Sequence, residues 1–423
     1  MTPILGCIAD DVTGATDIAL MLARNGMRTV QMLGLPTAAQ RCQADAIVVA
    51  LKTRSIAPQT AIDESVAAAK WLKNQGVKQY FFKYCSTFDS TDKGNIGPVA
   101  EALMNFLGSE FSVACPAFPA NLRTVYQGHL FVADKLLSES SLRNHPITPM
   151  TDANLVRVLD RQTAAGSSVG LAAFDIVNRG AEAIQGRFRE LQREGHRFAI
   201  ADAVSDDNLR QIALACNDMP LLTGGSALSM GLPDNYRKAG LLPDNQGDFE
   251  LPSLSGPVAI LAGSCSTATQ QQIKTASAQY PVLALDPLAL SKGTLDVERL
   301  SQNALGKLAG GPVIIASTAT PENVAKAQEI AGKDAISELI EQTFAALAKA
   351  LVDSDIKKVI VAGGETSGAI AKALGVQQLH IGPEIDPGVP WTAHLDTPEL
   401  LLAFKSGNFG GEDFFIKASE MVS

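Results

Sequence analysis

The sequence is short of most features that mark a metal enzyme, a secreted protein or a nucleic-acid binder. Only five histidines occur in 423 residues, none paired at ligand spacing, which counts against a metal enzyme. Six cysteines (Cys7, Cys42, Cys85, Cys115, Cys216, Cys265) lie scattered without a CxxC, so reduced thiols are expected and a structural zinc site is not. Basic residues number 35 against 44 acidic ones, a net charge of −9, which argues against broad electrostatic binding to nucleic acid or anionic membrane. An anion can still bind, but only at a local site built for it. No apolar run approaches the length of a membrane span. The N-terminus has no basic n-region, and its short apolar start runs straight into Asp10 and Asp11. It reads as a buried strand rather than a signal peptide, so a cytoplasmic protein is expected. Internal repeats and low-complexity tracts are missing too.

What is present is a well-packed globular chain, 46% hydrophobic and 19% charged, and too long for one ordinary core. Short β-rich runs such as "ILGCIA", "AIVVAL" and "QYFFKY" alternate with longer helical patterns. Runs that are apolar without alternation are buried on both faces, which suits a parallel sheet covered by helices. The fold class is therefore α/β, doubly wound. The pattern breaks between residues 236 and 257, where proline, glycine and acidic residues replace periodicity, and restarts with "VAILAGSCSTATQQQ". Two domains follow, 1–235 and 258–423, joined by a linker at 236–257.

In such folds ligands sit where strands end and helices begin. The first crossing, "CIADDVTGATD", closes a strand on two adjacent aspartates, Asp10 and Asp11. One would suffice as a helix cap, and like charges side by side are costly unless a cation or a substrate hydroxyl uses them. The second, "LKTRS", brings Lys52 and Arg54, which on sequence alone read more readily as solvated loop charges than as site residues. The third, "YCSTFDSTDKGN", crowds Lys83, Ser86, Thr87, Asp89, Ser90, Thr91, Lys93 and Asn95 around one strand-to-helix passage. That inventory suits a small polyhydroxylated acid: carboxylates for its hydroxyls and cations for its carboxylate.

Crossings in the second domain are of another kind. "AGSCSTAT" offers Gly263, Ser264, Cys265, Ser266 and Thr267, and "AGGETSGAI" offers Gly363, Gly364, Glu365, Thr366, Ser367 and Gly368. Near the C-terminus, "KSGNFGGEDFF" adds Gly407, Gly410 and Gly411. Small residues let backbone N–H groups approach phosphate oxygens, and a helix N-terminus adds favourable potential. A lone glycine pair at a strand end is a common turn, but two such crossings and a third glycine loop favour a phosphate site. Neither a Walker A loop nor GxGxxG with a ribose acid is present.

Taken in order, "IADDVTGATD", "DSTDKGNIG", "AGSCSTAT", "AGGETSGAI" and "GNFGGED" resemble the four-carbon acid sugar kinases over nearly the whole chain. The resemblance implies an N-terminal sugar-acid domain, a C-terminal ATP domain and an active site in the cleft between them. Many members read D-S-T-x-R-G-N. Here the motif falls on Asp89, Ser90, Thr91, Lys93, Gly94 and Asn95, with lysine at 93 and "YCSTF" before Asp89 where others have a K-x-D approach. That variant is similar to members acting on 3-oxo-tetronates, which implies phosphorylation of the terminal C4 hydroxyl of a 3-dehydro-tetronate. Threonate or erythronate stands as the alternative substrate. Nucleotide contacts carry over to Ser264, to Gly363, Gly364, Glu365 and Thr366, and to the Gly407–Gly411 loop.

ATP is then the co-substrate, with Mg²⁺ bridging its phosphates and held mainly by phosphate oxygens and water. Asp10, Asp11 and Asp89 are the candidates for accepting the hydroxyl proton. Cations such as Arg54 and Lys93 are expected to pair with the substrate carboxylate, and the role of Lys83 is left open. The implied partners are a sugar acid and ATP, and a homo-oligomer is compatible with both. A non-catalytic sugar-acid binding protein, or a lyase on the same substrate, would share the acid site but would not need the phosphate loops.

Overall fold

The computed structural model describes residues 2–88, 91–144, 148–164, 168–244, 250–317, 326–327, 329–396 and 399–422, with the backbone alone of residues 333 and 334. The chain divides into two compact units, Met1–Asp248 and Phe249–Ser423.

In the first unit the apolar runs become parallel strands: β1 (Leu5–Ala9), β2 (Thr29–Leu33), β3 (Ala46–Ala50), β4 (Gln79–Lys83) and β5 (Ser112–Cys115). A small antiparallel sheet follows, made of β6 (Arg123–Tyr126), β7 (His129–Val132) and β8 (Lys135–Leu136). Then β9 (Ser168–Ala172), β10 (His196–Ala201) and β11 (Leu221–Gly224) complete the main sheet. Its order is β2-β3-β1-β4-β11-β5-β10-β9. β1 and β3 are buried at every position, as strands covered by helices on both faces must be. β1 lies between β3 and β4, parallel to both, so the loops after β1 and β4 open at a topological switch point. This places "ADDVTG" and "YCSTF" side by side.

The second unit contains β12 (Val258–Ala262), β13 (Val282–Ala284), β14 (Val313–Ala316), β15 (Lys358–Ala362), β16 (Gln378–Asp386), β17 (Val389–His394) and β18 (Leu400–Lys405), in the order β13-β14-β12-β15-β18-β17-β16. The strands from β13 to β18 in that order run parallel, while β16 and β17 form an antiparallel hairpin against β18. β12, β15 and β18 are thus parallel neighbours, and their carboxyl ends share one edge. The terminal helix Phe414–Glu420 buries Phe414 and Phe415, and Trp391 Nε1 donates to the Ala418 carbonyl at 3.0 Å.

Two departures from the sequence reading are local. The helix Leu232–Lys238 runs through the first residues assigned to the linker, because Tyr236 is buried and its hydroxyl donates to Gln79 Oε1 at 2.6 Å. The run "SVGLAAFDI" stops as a strand at Ala172 and turns into the short helix Phe174–Val177. Among the described residues no helix is long and apolar enough to cross a membrane.

Candidate active site

The crossing after β1 is organised by its two aspartates, which do different things. Asp11 is the N-cap of the helix Val12–Arg24, its Oδ1 accepting from the Gly14 N–H at 2.9 Å. Asp10 is buried, and Arg54 grips it from both sides, Nε to Oδ2 at 2.9 Å and Nη2 to Oδ1 at 2.8 Å. The same Nη2 lies 2.8 Å from Asp11 Oδ1. Arg54 is therefore no solvated loop charge; it is the third member of the acidic pair, and it relieves the repulsion between them.

Burial pushes Asp10 above the ordinary carboxylate range, against the pull of Arg54. Burial also opposes the charge of Arg54, but hydrogen bonds to Asp10 and the charges of Asp10 and Asp11 outweigh it and raise its pKa. Arg54 thus stays cationic. Its side chain is 25% exposed, and its Nη1 takes no partner among the described residues. Asp11, 32% exposed, likewise keeps Oδ2 without a partner there.

Asn95 supports the arrangement from below. Its Nδ2 donates to the carbonyls of Thr53 at 2.7 Å and Ile56 at 2.9 Å, fixing the loop that carries Arg54. Lys83 ends β4, is buried, and donates to the Tyr84 carbonyl at 2.9 Å. A Cβ at Gly14 would stand 2.9 Å from Lys83 Nζ and 2.3 Å from Asp11 Oδ1, so any other residue there would have to displace one or both of these groups. Phe88 sits at φ 52, a backbone conformation side chains rarely adopt, with its ring fully buried against Tyr84. Ser86 is half-buried, and Thr91 accepts from the Lys93 N–H at 3.3 Å, while Lys93 itself is exposed. Asp89 and Ser90 lie outside the described residues.

Sequence reasoning missed Asp17. Its Oδ2 accepts from Ser226 Oγ at 2.5 Å, and burial raises its pKa against the nearby charge of Lys83. The signal was available: an acid between Ala15 and Ile18, two buried residues of the same helix.

In the second unit the crossings after β12, β15 and β18 are stitched together. The N–H groups of Gly263 and Ser264 both donate to the Ala362 carbonyl at 3.0 Å, and that of Gly363 to the Lys405 carbonyl at 2.9 Å. Gly363 has φ +131, a conformation that favours glycine. The helix Gly364–Ala373 then starts without a side-chain cap. Its first N–H groups, on Gly364, Glu365 and Thr366, have no acceptor among the described residues.

These donors border a cavity of about 390 Å³ lined by Ser264, Gly363, Gly364, Glu365, Thr366 and Gly407 at one side. The helix Lys333–Asp353 contributes Ile336 and Ile340, which with Pro287 and Ala327 make an apolar wall. A polyanion at the N–H groups and a flat apolar group against that wall is what the cavity accommodates. The wall went unread in the sequence, although Ile336 and Ile340 keep helical spacing. Ser266, Gly410 and Gly411 stand off this cavity. Ser266 caps the helix Thr267–Ala276 and donates to the Gly407 carbonyl at 2.6 Å. A Cβ on Gly410 would meet the Phe414 ring at 2.7 Å, and the Gly411 N–H donates to Asp386 Oδ2 at 2.8 Å.

Among the described residues no group of three or more His, Cys, Asp or Glu could hold a metal ion. The donor set fits a magnesium ion carried by a nucleotide's own phosphates, with Glu365 and Glu341 the carboxylates on the cavity lining.

Comparison with known proteins agrees with this division. The model of a sugar-binding N-terminal domain matches residues 5–232, and that of a nucleotide-binding C-terminal domain matches residues 259–415. A curated 3-oxo-tetronate kinase of Burkholderia multivorans is 53% identical over 416 residues, covering 98% of this chain and 96% of that one. A 3-oxo-tetronate kinase of Pseudomonas fluorescens is 52% identical over 419 residues, with the same coverage. The crystal structure of a Haemophilus influenzae protein, 43% identical, superposes with a TM-score of 0.88 over 99% of this chain and 100% of that one. The chain belongs to the four-carbon acid sugar kinase family.

Proposed function

We propose that the protein is an ATP-dependent 3-oxo-tetronate kinase, transferring the γ-phosphoryl group to the C4 hydroxyl of a 3-dehydro-tetronate in carbohydrate-acid breakdown. Residues 1–235 serve as the sugar-acid domain and 258–423 as the nucleotide domain. The observation that carries the reading is the pairing of two prepared sites in one chain. One is a guanidinium, Arg54, held in place by Asp10 and Asp11 with an edge to spare. The other is a set of N–H groups, without an acceptor among the described residues, on an apolar-walled cavity. The names of the close relatives support the substrate.

In this reading Arg54 Nη1 receives the substrate carboxylate, with Lys93, Ser86, Ser90 and Thr91 around the hydroxyls and Asn95 and Lys83 holding the loops. The phosphates of ATP lie at Gly364, Glu365 and Thr366 beside Ser264 and Gly407. Glu365 and Glu341, the carboxylates on the cavity lining, would help hold a magnesium ion accompanying ATP, which would offset phosphate charge. The C4 oxygen attacks the γ-phosphorus in line, the bond to the β–γ bridging oxygen breaks, and ADP leaves. The hydroxyl proton passes to a carboxylate. Asp10 has both oxygens engaged, so Asp11 through Oδ2, or Asp89, takes that role.

A substrate carboxylate should therefore be required. With ATP and Mg²⁺, ADP release should be fastest with a 3-dehydro-tetronate. The matched neutral tetrose should lose roughly thirtyfold or more in kcat/KM, because leaving a prepared cation unpaired costs at least about 2 kcal/mol. Equal kcat/KM for acid and neutral sugar contradicts the carboxylate site, and faster turnover of threonate or erythronate moves the substrate to those acids.

A further inference from the structure

The side chain that ends β18, Lys405, is 1% exposed. Its Nζ donates to Thr269 Oγ1 and to the carbonyls of Ser406 and Gly407, each at 3.1 Å, and lies 5.8 Å from the centroid of the Phe414 ring. No carboxylate pairs with it among the described residues. The elements around it keep their charges elsewhere. Lys417 pairs with Asp386 at 2.5 Å and with Asp413 at 3.7 Å, and Glu412 takes a hydrogen bond from Gln271. On β15, Lys358 Nζ bonds the Val422 carbonyl, and Glu365 of the neighbouring helix is exposed on the cavity lining. Thr269 and Phe414 are what the flanking helices offer to Nζ.

An ammonium buried without an anion is costly, and a fold that keeps one beside an anion site leaves its compensation to the ligand. Gly407, whose carbonyl Nζ holds, lines the cavity. We propose that Lys405 is a positioning residue whose buried charge is completed by the nucleotide's phosphates, so that nucleotide binding takes up a proton at this lysine. The proposal rests on the reading of the cavity as the ATP site.

Burial pushes the Lys405 ammonium down to about 8, so near that pH the free protein is divided between charged and neutral forms. Nearby phosphates favour the charged form and raise the value in the complex. By linkage, affinity is greatest below about pH 8 and falls as pH rises from there to the raised value. A one-unit rise corresponds to about tenfold in Kd.

Calorimetric titration of the full chain with ADP and ATP at pH 8, in two buffers of different ionisation enthalpy, counts the protons directly. The nucleotide's own phosphate ionisation, near pKa 6, is complete by then. Proton uptake is expected, with Kd weakening about tenfold between roughly pH 7 and 9.5. Lys405→Met should bind more weakly and without that slope, and Lys405→Arg should keep the charge and lose the slope. Tight binding without proton uptake, or a slope that survives in Lys405→Met, overturns this inference alone. Absence of nucleotide binding at pH 7 overturns the kinase reading and this inference together. If Lys405→Met does not fold, the wild-type proton count decides.

Discussion

Asp11→Asn should lower kcat about 10²–10⁴-fold, the usual worth of a general base, while the protein stays folded. The amide oxygen of asparagine can still accept from the Gly14 N–H, so the helix cap survives the loss of charge. Asp10→Asn should behave differently. Both oxygens of Asp10 hold Arg54, and an amide in its place turns two donors against the guanidinium. The expected result is a higher KM for the acid and a loss of about 3 kcal/mol in stability, because one partner of a buried pair has been removed. Steady-state kinetics and thermal melts on the two variants separate these roles. A normal kcat in Asp11→Asn moves the base to Asp89, where the same substitution decides.

The second large effect is expected at Gly364. A Cβ built there meets nothing within 4 Å, whereas one at Gly263 would stand 2.1 Å from Thr366 Oγ1 and one at Gly407 2.3 Å from Ser264 Oγ. Those two glycines are required by the protein's own packing. At Gly364 the protein leaves open space on the cavity lining, at an N–H with no acceptor among the described residues. The Cβ of Gly364→Val therefore enters open space on the cavity lining, where the proposed nucleotide would lie. ATP affinity should fall at least about 10²-fold, the loss of two charge-assisted hydrogen bonds, while sugar-acid binding is unchanged. Calorimetry with each ligand is the check. Wild-type ATP affinity in a folded Gly364→Val would reduce this crossing to a turn.

These contrasts also mark what the sequence could tell. β1, β3, β12 and β15 are buried along their whole length, so their apolar runs stood out without alternation, and the polar residues at their carboxyl ends were visible with them. The partner of the Asp10–Asp11 pair was not visible. Arg54 lies 44 residues away, and only the placement of β1 beside β3 brings the two loops together. Within "KSGNFGGED" the glycines drew attention, but Lys405 does the unusual thing, and its burial depends on Thr269 and Phe414 from two other helices. The small sheet from β6 to β8 was missed because its strands have two to four residues, too few to display a period. The hairpin of β16 and β17 was missed because "IGPEIDPGVP" reads as a string of breakers, and its bulges tolerate them.

The destination of the transferred phosphate is the most direct test of a C4 kinase. Incubation of the full-length protein with ATP, Mg²⁺ and a 3-dehydro-tetronate, followed by phosphorus NMR of the products, reads ADP formation and the site of transfer together. One equivalent of ADP for each sugar acid consumed is predicted, with the new phosphorus signal coupled to the C4 methylene protons. Phosphate on the carboxylate or on C2, or ATP hydrolysed without a phosphorylated acid, would contradict it.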